Sequence, residues 1–446
     1  MDATQHIVKL KPSAVELVDR TMINLARDIP MFKATVNQFV VGEPEALLLV
    51  EFSGENEEAQ LSSLRDLVTL MNDMGFVDAV VEATDLTFQQ AVWEVRKQGL
   101  NIMMSMKGDG KPVSFIEDCA VDLKDLAEYT RRLTEVFYKH GTEGTFYAHA
   151  SVGCLHVRPI LNMKEETGAS KMRAIAEECL EMVRAYKGSH SGEHGDGLSR
   201  SEFHEVMFGK RMVENFEEVK DNFDPGGLFN PGKIVRAPKF DERTLFRYKP
   251  DYEIQAINTV MDWSDWGGFN GAIEMCNNNG ACRKAEAGNM CPSYRVTNDE
   301  KHLTRGRANT LRLAISGQLG KDALLSEEMF DTMDLCVSCK GCKRECPVGV
   351  DMAKMKVEFL HQYYQHRRLP LKEKLIAYLP RYAPWAKNFG LLLNLRNQIP
   401  GLPLLSEKLF GFTRHRALPT WRGDVFSQHQ GLTAESTTST QAEVVL

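Results

Sequence analysis

The sequence predicts an α+β protein in which a mixed α/β part precedes an all-α part. Over residues 1–245, short apolar runs typical of buried strands alternate with longer segments of helical periodicity. From about residue 270 the strand patterns are gone and long helical patterns replace them. The β–α–β–β–α–β-like order of the first part predicts an elaborated ferredoxin-like α/β sandwich.

The same patterns divide the 446 residues into four segments. We expect a first domain at 1–245 and a linker at 246–269, where aromatic residues are interleaved with Asp and Gly. A helical domain is expected at 270–423. Residues 424–446 are rich in Ser, Thr and Gln, which is typical of a flexible linker, and we expect them to lead to a further C-terminal domain.

Local patterns predict the individual elements. Strands are expected at about residues 46–52, 77–83, 119–121, 145–150 and 154–160. Helices are expected from about 13, and at 57–74, 87–99, 122–140, 164–187, 300–317, 327–335 and 352–368. Prolines after residue 369 predict shorter helices there.

Composition excludes several classes of protein. Hydrophobic residues make up 43% and charged residues 26%, which is ordinary for a globular chain. No apolar stretch reaches the ~20 residues that span a bilayer, and the N-terminus does not resemble a signal peptide. Seven of the ten cysteines lie between residues 276 and 346, which favours metal cofactors in a reducing compartment over disulfides. We therefore expect a cytoplasmic location.

Positive charge is concentrated late in the chain. The net charge is −7, yet residues 339–422 contain 16 Lys and Arg against 5 Asp and Glu. Solvated helix faces, an acidic partner, a negatively charged cluster and the inner face of a membrane all fit this excess. No basic motif is interleaved with aromatic residues, so we expect no nucleic-acid partner.

One cysteine run has the spacing of an iron–sulfur site. Cys336, Cys339, Cys342 and Cys346 are spaced two, two and three residues apart, and Pro347 follows. This is the bacterial ferredoxin pattern for a [4Fe–4S] cluster, in which the fourth cysteine serves a neighbouring cluster. Zinc sites also use paired cysteines, but seldom a third at the same short spacing followed by Cys-Pro.

A second set of cysteines resembles the same pattern with one thiol replaced. Cys276 and Cys282 flank Asn279, which stands where a cysteine would complete the spacing, and Cys291 is followed by proline. Crossover between the two sets would complete one [4Fe–4S] cluster with Cys291, Cys336, Cys339 and Cys342.

The crossover leaves Cys276, Cys282 and Cys346 for a second site. Three thiolates fit a [3Fe–4S] cluster, a [4Fe–4S] cluster with another kind of ligand, or no cluster. Alternatively, a single cluster is held by the run that ends at Cys346, and the two earlier cysteines are ordinary thiols.

Two histidines and a glycine-rich loop form a candidate metal site. Strand alternation would put His149 and His156 on opposite faces unless the chain turns between them. With Glu193 from the loop at residues 191–197, they would make a two-histidine, one-carboxylate site for zinc, manganese or iron. His194 would then be free to act as a general base near neutral pH.

Several motifs resemble those of a known family in their order along the chain. They are Trp93–Arg96, Ile116–Val121, the His149 and His156 pair, Gly192–Gly195, and Asp224–Lys233. Together they resemble the C-terminal half of FAD-linked D-2-hydroxyacid dehydrogenases of the vanillyl-alcohol-oxidase fold class. The cysteine part resembles the α-helical ferredoxin domain of a subset of these enzymes, above all the large bacterial FAD/iron–sulfur D-2-hydroxyglutarate dehydrogenases.

The resemblance implies roles for particular residues. The metal held by His149, His156 and Glu193 would bind the hydroxyl and carboxylate of the substrate, and His194 would take the hydroxyl proton. Arg96 would pair with a substrate carboxylate, for which its forked guanidinium is suited. Arg158 stands where the family has a neutral polar residue and could hold a second carboxylate, and Asn230 would lie near the isoalloxazine of FAD.

The resemblance also implies partners. The family's FAD pyrophosphate-binding half has no counterpart here, so we expect a separate FAD-binding domain or subunit and a chain that is incomplete and inactive alone. D-2-hydroxyglutarate is the first expected substrate and D-lactate the second. A quinone, flavoprotein or cytochrome would accept the electrons. The alternative function is a non-catalytic iron–sulfur subunit of a multisubunit oxidoreductase.

Overall fold

The computed structural model describes residues 1–285 and 288–423. The chain divides into two compact units, Met1–His361 and Gln362–Leu446. The first unit contains residues on both sides of the linker predicted at 246–269, so that division stays a prediction. The flexible segment predicted at 424–446 lies outside the described residues.

The first unit is built on an antiparallel sheet. Its strands are β1 Ala14–Asp19, β2 Ala46–Glu51, β3 Lys111–Pro112, β4 Cys119–Ala120, β5 Gly144–His149 and β6 Cys154–Leu161. They lie in the order β2-β1-β5-β6-β3, and β4 also pairs with β6. Each described pair is antiparallel.

Helices surround the sheet and then continue alone. Before residue 245 they are α1 Thr4–Ile7, α2 Arg20–Asp28, α3 Pro30–Phe39, α4 Glu57–Asp73, α5 Leu86–Lys97, α6 Gly99–Met104, α7 Leu126–Lys139, α8 Glu166–Ala185, α9 Gly197–Arg200, α10 His204–Phe208 and α11 Lys210–Phe223. The cysteine-containing part has α12 Phe269–Glu274, α13 Pro292–Thr297, α14 Thr304–Ile315, α15 Glu327–Asp334, α16 Gly341–Glu345 and α17 Met352–Gln365. The predicted α+β class, with a helical part after the sheet, is confirmed.

Four further helices belong to the second unit. They are α18 Leu371–Ala377, α19 Leu379–Ala386, α20 Gly390–Gln398 and α21 Leu402–Phe410. Pro380 and Pro403 lie in the first turns of α19 and α21. Backbone amides in the first turn have no partner within the helix, so a proline there costs no hydrogen bond. The prolines thus mark short helices, as predicted. Among the helices of the described ranges, none has the length and apolar content needed to cross a membrane.

The two faces of the sheet differ in chemistry because side chains alternate along each strand. One face is apolar and packs on α7 and α8, through Val15, Leu17, Ala148, Leu155 and Val157 among others. On the opposite face, Tyr147 packs into a smaller apolar cluster with residues of α2, α3, α5 and α6. The same face carries the polar residues Glu16, His149, His156 and Arg158.

Most predicted elements are confirmed, and three predictions are wrong. The helix expected from residue 13 is strand β1 up to Asp19, whose carboxylate then accepts the Met22 amide 2.8 Å away and begins α2. Residues 77–83 form turns and irregular chain, with Val77 and Val81 exposed, because no neighbouring strand pairs with them. The helix expected from 122 begins at Leu126.

The turn between β5 and β6 generates a stability prediction. Gly153 has φ of +68°, and a Cβ there would collide with the Val121 carbonyl oxygen. Gly42 has the same φ but open space around it. Each Gly→Ala change adds left-handed strain of ~1–2 kcal/mol, and Gly153→Ala should cost about 1–3 kcal/mol more because of the collision. Urea unfolding monitored by circular dichroism gives the midpoint of each variant. Equal midpoints for Gly153→Ala and Gly42→Ala would contradict the close approach of Gly153 to the Val121 carbonyl oxygen.

Candidate metal centre and cysteine clusters

The chain turn brings the two predicted histidines to one face. In the β5–β6 register, His149 lies opposite Cys154 and Tyr147 lies opposite His156. Opposite residues of an antiparallel pair share a face, and so do residues two apart on one strand. His149 and His156 are therefore diagonal neighbours on the polar face, which meets the condition that the sequence set for a joint site.

Three imidazoles converge on one carboxylate oxygen. Glu193 Oε1 lies 3.3 Å from His149 Nε2, 3.0 Å from His156 Nε2 and 3.4 Å from His194 Nε2. His149, His156 and Glu193 are the three predicted metal ligands, and His194 is the predicted base. His194 lies as close to Glu193 as His149 does, so its assignment as base rather than further ligand stays a prediction.

His156 is held in the neutral form that metal binding requires. Its ring is 1% exposed and stacks between Tyr147, with centroids 4.6 Å apart, and His194, with centroids 4.9 Å apart. Burial, and then the nearby His149 and His194, lower its pKa to about 3. Two imidazoles and a carboxylate form a donor set that fits zinc or manganese.

A buried aspartate holds the loop in place. The Asp118 carboxylate accepts the backbone amide of Glu193 at 2.9 and 3.0 Å and that of His194 at 2.9 Å. Burial alone would raise the pKa of Asp118, but these amide bonds outweigh it and hold the pKa low. Sequence reasoning gave Asp118 no role; the only signal was its place in the family-like segment 116–121.

Glu16 connects a predicted arginine to the histidines. Its Oε1 lies 2.8 Å from His149 Nδ1, and its Oε2 accepts Arg96 Nε at 3.1 Å and Nη2 at 2.5 Å. Burial opposes ionisation of Glu16, yet His149 and Arg96 lower its pKa, while the Glu16 hydrogen bond raises the pKa of His149. Arg96, the predicted substrate-carboxylate ligand, is thus paired with a carboxylate of this chain. Sequence reasoning missed Glu16 because it placed this segment in a helix.

The second predicted arginine has a similar partner. Arg158 Nε and Nη2 lie 2.5 Å from Glu117 Oε2, and both side chains are buried. Glu117 Oε1 lies 3.5 Å from His194 Nδ1. Arg158 also lines a cleft of about 570 Å³, whose wall includes Lys111 and Tyr248. Arg158 is therefore connected to the candidate base His194 through Glu117, and it also lines the open cleft.

Asn230 lies in an exposed loop. It has φ of +47°, and the loop is fixed by the Asp224 carboxylate, which accepts the amides of Leu228 and Phe229 at 2.9 Å each. Leu228 and Phe229 are themselves exposed. No described hydrogen bond joins Asn230 to the histidine cluster, so its predicted place beside a flavin stays a prediction.

Four cysteines line one small pocket. They are Cys291, Cys336, Cys339 and Cys342. Thr304 donates its amide to Cys291 Sγ at 3.1 Å. The buried Arg307 also lines the pocket, and it donates to the carbonyl oxygens of Thr332 and His302. Four convergent thiols suit a cubane cluster, and this set is the one that crossover between the two cysteine runs predicts.

The other three cysteines are also neighbours. Burial raises the pKa of the Cys282 thiol to about 11, and the nearby thiols of Cys291, Cys276 and Cys346 act in the same direction. The exposed Asn279, which replaces the expected cysteine, accepts the Ala281 amide at 2.8 Å and so serves the local turn. This second set offers three thiols.

The fold and these sites together define a protein of two parts, an α+β part with an imidazole and carboxylate cluster and a helical part with four cysteines around one pocket. The C-terminal domain of FAD linked oxidases matches residues 1–234, and a 4Fe-4S dicluster domain matches residues 272–350. The first match covers more than half of the 446 residues. The chain belongs to the family of FAD-linked oxidase C-terminal domains and carries an iron–sulfur domain.

Curated relatives match either both parts of the chain or about half of it. D-2-hydroxyglutarate dehydrogenase of Escherichia coli is 28% identical over 91% of this chain and 44% of its own length. The Pseudomonas putida protein of the same name is 28% identical over 90% of the chain and 43% of its own length. D-lactate dehydrogenase of Archaeoglobus fulgidus is 28% identical over 51% of the chain and 46% of its own length. The chain therefore spans less than half the length of each of these relatives.

The Asp118 contacts predict a loss of metal affinity. Asp118→Asn removes the charge and replaces one acceptor oxygen with an NH2 group that cannot accept a backbone amide, so the Glu193 and His194 amides are held less strongly and the loop should loosen. We expect zinc or manganese to bind about 10–100-fold more weakly, as for other groups that orient metal ligands. Titration of metal-free chain measures this, with the exposed Asp122→Asn as the matched control. Unchanged affinity in Asp118→Asn would refute the role of this carboxylate.

Proposed function

We propose that this chain is the substrate-binding and iron–sulfur part of a flavin-dependent D-2-hydroxyacid dehydrogenase. The observation that carries the proposal is the convergence of three imidazoles on Glu193 in the compact unit that also contains the four-thiol pocket. The relatives whose likeness extends over both parts are named D-2-hydroxyglutarate dehydrogenase, whereas the one named D-lactate dehydrogenase matches half the chain. D-2-hydroxyglutarate is therefore the first proposed substrate and D-lactate the second.

His149, His156 and Glu193 would hold zinc or manganese, and such an ion would supply Lewis-acid polarisation of the substrate's hydroxyl oxygen. Bound FAD would accept hydride from the substrate carbon, and iron–sulfur clusters would carry single electrons onward. The flavin site would be completed by a FAD-binding domain or subunit, with Asn230 facing the isoalloxazine.

His194 is the proposed proton acceptor. Its Nε2 faces Glu193, one of the candidate metal ligands, while its Nδ1 lies 3.5 Å from the buried Glu117 carboxylate. A carboxylate can only accept a hydrogen bond, so Glu117 favours the tautomer with the proton on Nδ1 and leaves the Nε2 lone pair free for the substrate hydroxyl proton. Glu117 would therefore orient His194 for this step.

The two arginines would hold the substrate's carboxylates. Glu117 engages Nε and Nη2 of Arg158, and Nη1 takes no part in that ion pair. Because Arg158 lines the 570 Å³ cleft, its third nitrogen could take the distal carboxylate of a dicarboxylic acid. Arg96, kept in place by Glu16, would take the carboxylate next to the reacting carbon. A second carboxylate site favours 2-hydroxyglutarate over lactate.

We propose that Cys291, Cys336, Cys339 and Cys342 hold a [4Fe–4S] cluster. Cys276, Cys282 and Cys346 would hold a second cluster, either [3Fe–4S] or [4Fe–4S] with one ligand of another kind. A quinone, flavoprotein or cytochrome would accept the electrons.

In the second unit, exposed Trp385 and Leu391 occur among basic residues, which supports a peripheral contact with an anionic membrane. Co-sedimentation of the protein with anionic vesicles would test this contact.

The crossover assignment predicts unequal effects of two cysteine changes. In anaerobically purified protein, Cys291→Ser should lose about four iron and four sulfide per chain, because it removes one ligand of the first cluster. Cys346→Ser should keep that cluster and lose the second. Iron and sulfide analysis with electron paramagnetic resonance measures both, and the buried Cys179→Ser serves as control. If Cys346→Ser lost the first cluster and Cys291→Ser kept it, the single-run alternative would be correct.

The base assignment is tested in the enzyme that includes the FAD-binding part. His194→Ala should lower kcat/KM for D-2-hydroxyglutarate about 10²–10⁴-fold, because proton removal would lack its acceptor. Flavin and iron contents should not change. The exposed His415→Ala is the control. Normal turnover in His194→Ala would exclude His194 as the base. If the purified protein contained iron but no zinc or manganese and bound no 2-hydroxyacid, the alternative function as an electron-transfer subunit would be favoured.

A further inference from the structure

A second histidine–carboxylate cluster lies behind the loop that carries Glu193 and His194. His190 precedes the loop, Asp196 ends it at the start of α9, and His204 begins α10. One ligand atom from each of the three lies within 4.8 Å of the others. The two histidine rings are 5% and 2% exposed, and Asp196 is 19% exposed. The cluster thus links both ends of the loop to α10.

The hydrogen bonds of His204 fix where its lone pair points. Its Nδ1 lies 3.1 Å from the carbonyl oxygen of Ile234, which can only accept, so Nδ1 carries the proton. In the neutral ring, Nε2 therefore presents a lone pair to Asp196 Oδ2 at 2.8 Å. A lone pair facing a carboxylate is repulsive unless a proton or a metal cation lies between them.

His190 decides between a proton and a metal ion. Both of its ring nitrogens are buried without a hydrogen-bond partner, and so is Asp196 Oδ1, which lies 3.8 Å from His190 Nε2. A proton on His204 would satisfy the pair but leave His190 and Oδ1 unpaired, at a cost of ~1–3 kcal/mol for each such group. A single cation accepting one lone pair from each residue would satisfy His204 Nε2, the Asp196 carboxylate and one of the two His190 nitrogens, so fewer buried polar atoms would stay unpaired than with a proton.

The surroundings of the cluster resemble the outer shell of a metal site. A backbone carbonyl that holds the far nitrogen of a ligating histidine is a common feature of such sites, and Ile234 supplies it. The rings of Phe208 and Phe216 pack against His204, with centroids 5.5 and 6.0 Å away. Arg200, a cation close to His190, donates from its guanidinium to the carbonyl oxygens of Gly195 and Glu117.

We propose that His190, Asp196 and His204 bind a divalent transition metal ion, with zinc favoured by the two imidazoles and one carboxylate. This site is separate from the one formed by His149, His156 and Glu193. The ion would fix both ends of the loop and so position Glu193 and His194. Its role is structural, and it does not depend on the function proposed above.

The test counts metal equivalents and uses cobalt as a probe. Metal-free chain is loaded with zinc, dialysed, and analysed by mass spectrometry for zinc per chain. We expect His190→Ala and Asp196→Asn each to lose one equivalent and to bind zinc at least 100-fold more weakly at that site. Cobalt(II) loading should likewise lose one set of visible absorption bands in each variant. His140→Asn, which breaks a histidine–carboxylate pair that has a 2.7 Å contact with Glu178, should lose none.

His156→Ala separates this proposal from the function proposed above. If only the catalytic assignment fails, His156→Ala keeps all of its zinc while His190→Ala still loses one equivalent. If the second site does not exist, folded His190→Ala and Asp196→Asn bind as much zinc as the unaltered chain. Circular dichroism confirms folding, and because Asp196→Asn keeps the side-chain volume, at least one variant should remain folded.

Discussion

The buried Asp118 carboxylate is the contact on which the candidate centre depends. It accepts the backbone amides of Glu193 and His194, two residues that lie more than 70 positions later in the chain. Those amides place the Glu193 side chain where three imidazole nitrogens reach it. A buried charge that is satisfied by backbone donors has one favourable geometry, so the loop has little freedom to move away from the sheet.

The sheet supplies the other half of the centre through its alternation. Glu16 on β1, His149 on β5 and His156 on β6 share one face because their strands pair in register. Charges on this face are matched locally, with Arg96 paired to Glu16 and Arg158 paired to Glu117. Such pairing keeps buried cations compensated before any ligand binds, so a substrate carboxylate would join an existing network.

Much of the fold could be predicted from local sequence. Long periodic helices such as α4 and α8 and apolar strands such as β2 were predicted within a few residues, because their patterns do not depend on distant contacts. Strand β1 was missed because its short alternation resembles a helix start, and residues 77–83 were wrongly assigned as a strand. In both places pairing with distant strands, or its absence, decides the structure.

For the site, the sequence by itself determined which residue types were available: the cysteine spacing, the histidine pair and the glycine-rich loop. These could be found because cluster and metal chemistry demand particular donors at short spacings. Only the tertiary structure decided which donors meet, since Cys291 joins a pocket with cysteines some 45–51 residues later, and Glu16, Glu117 and Asp118 become neighbours of the histidines. Such contacts depend on strand register and loop path, which no local pattern encodes.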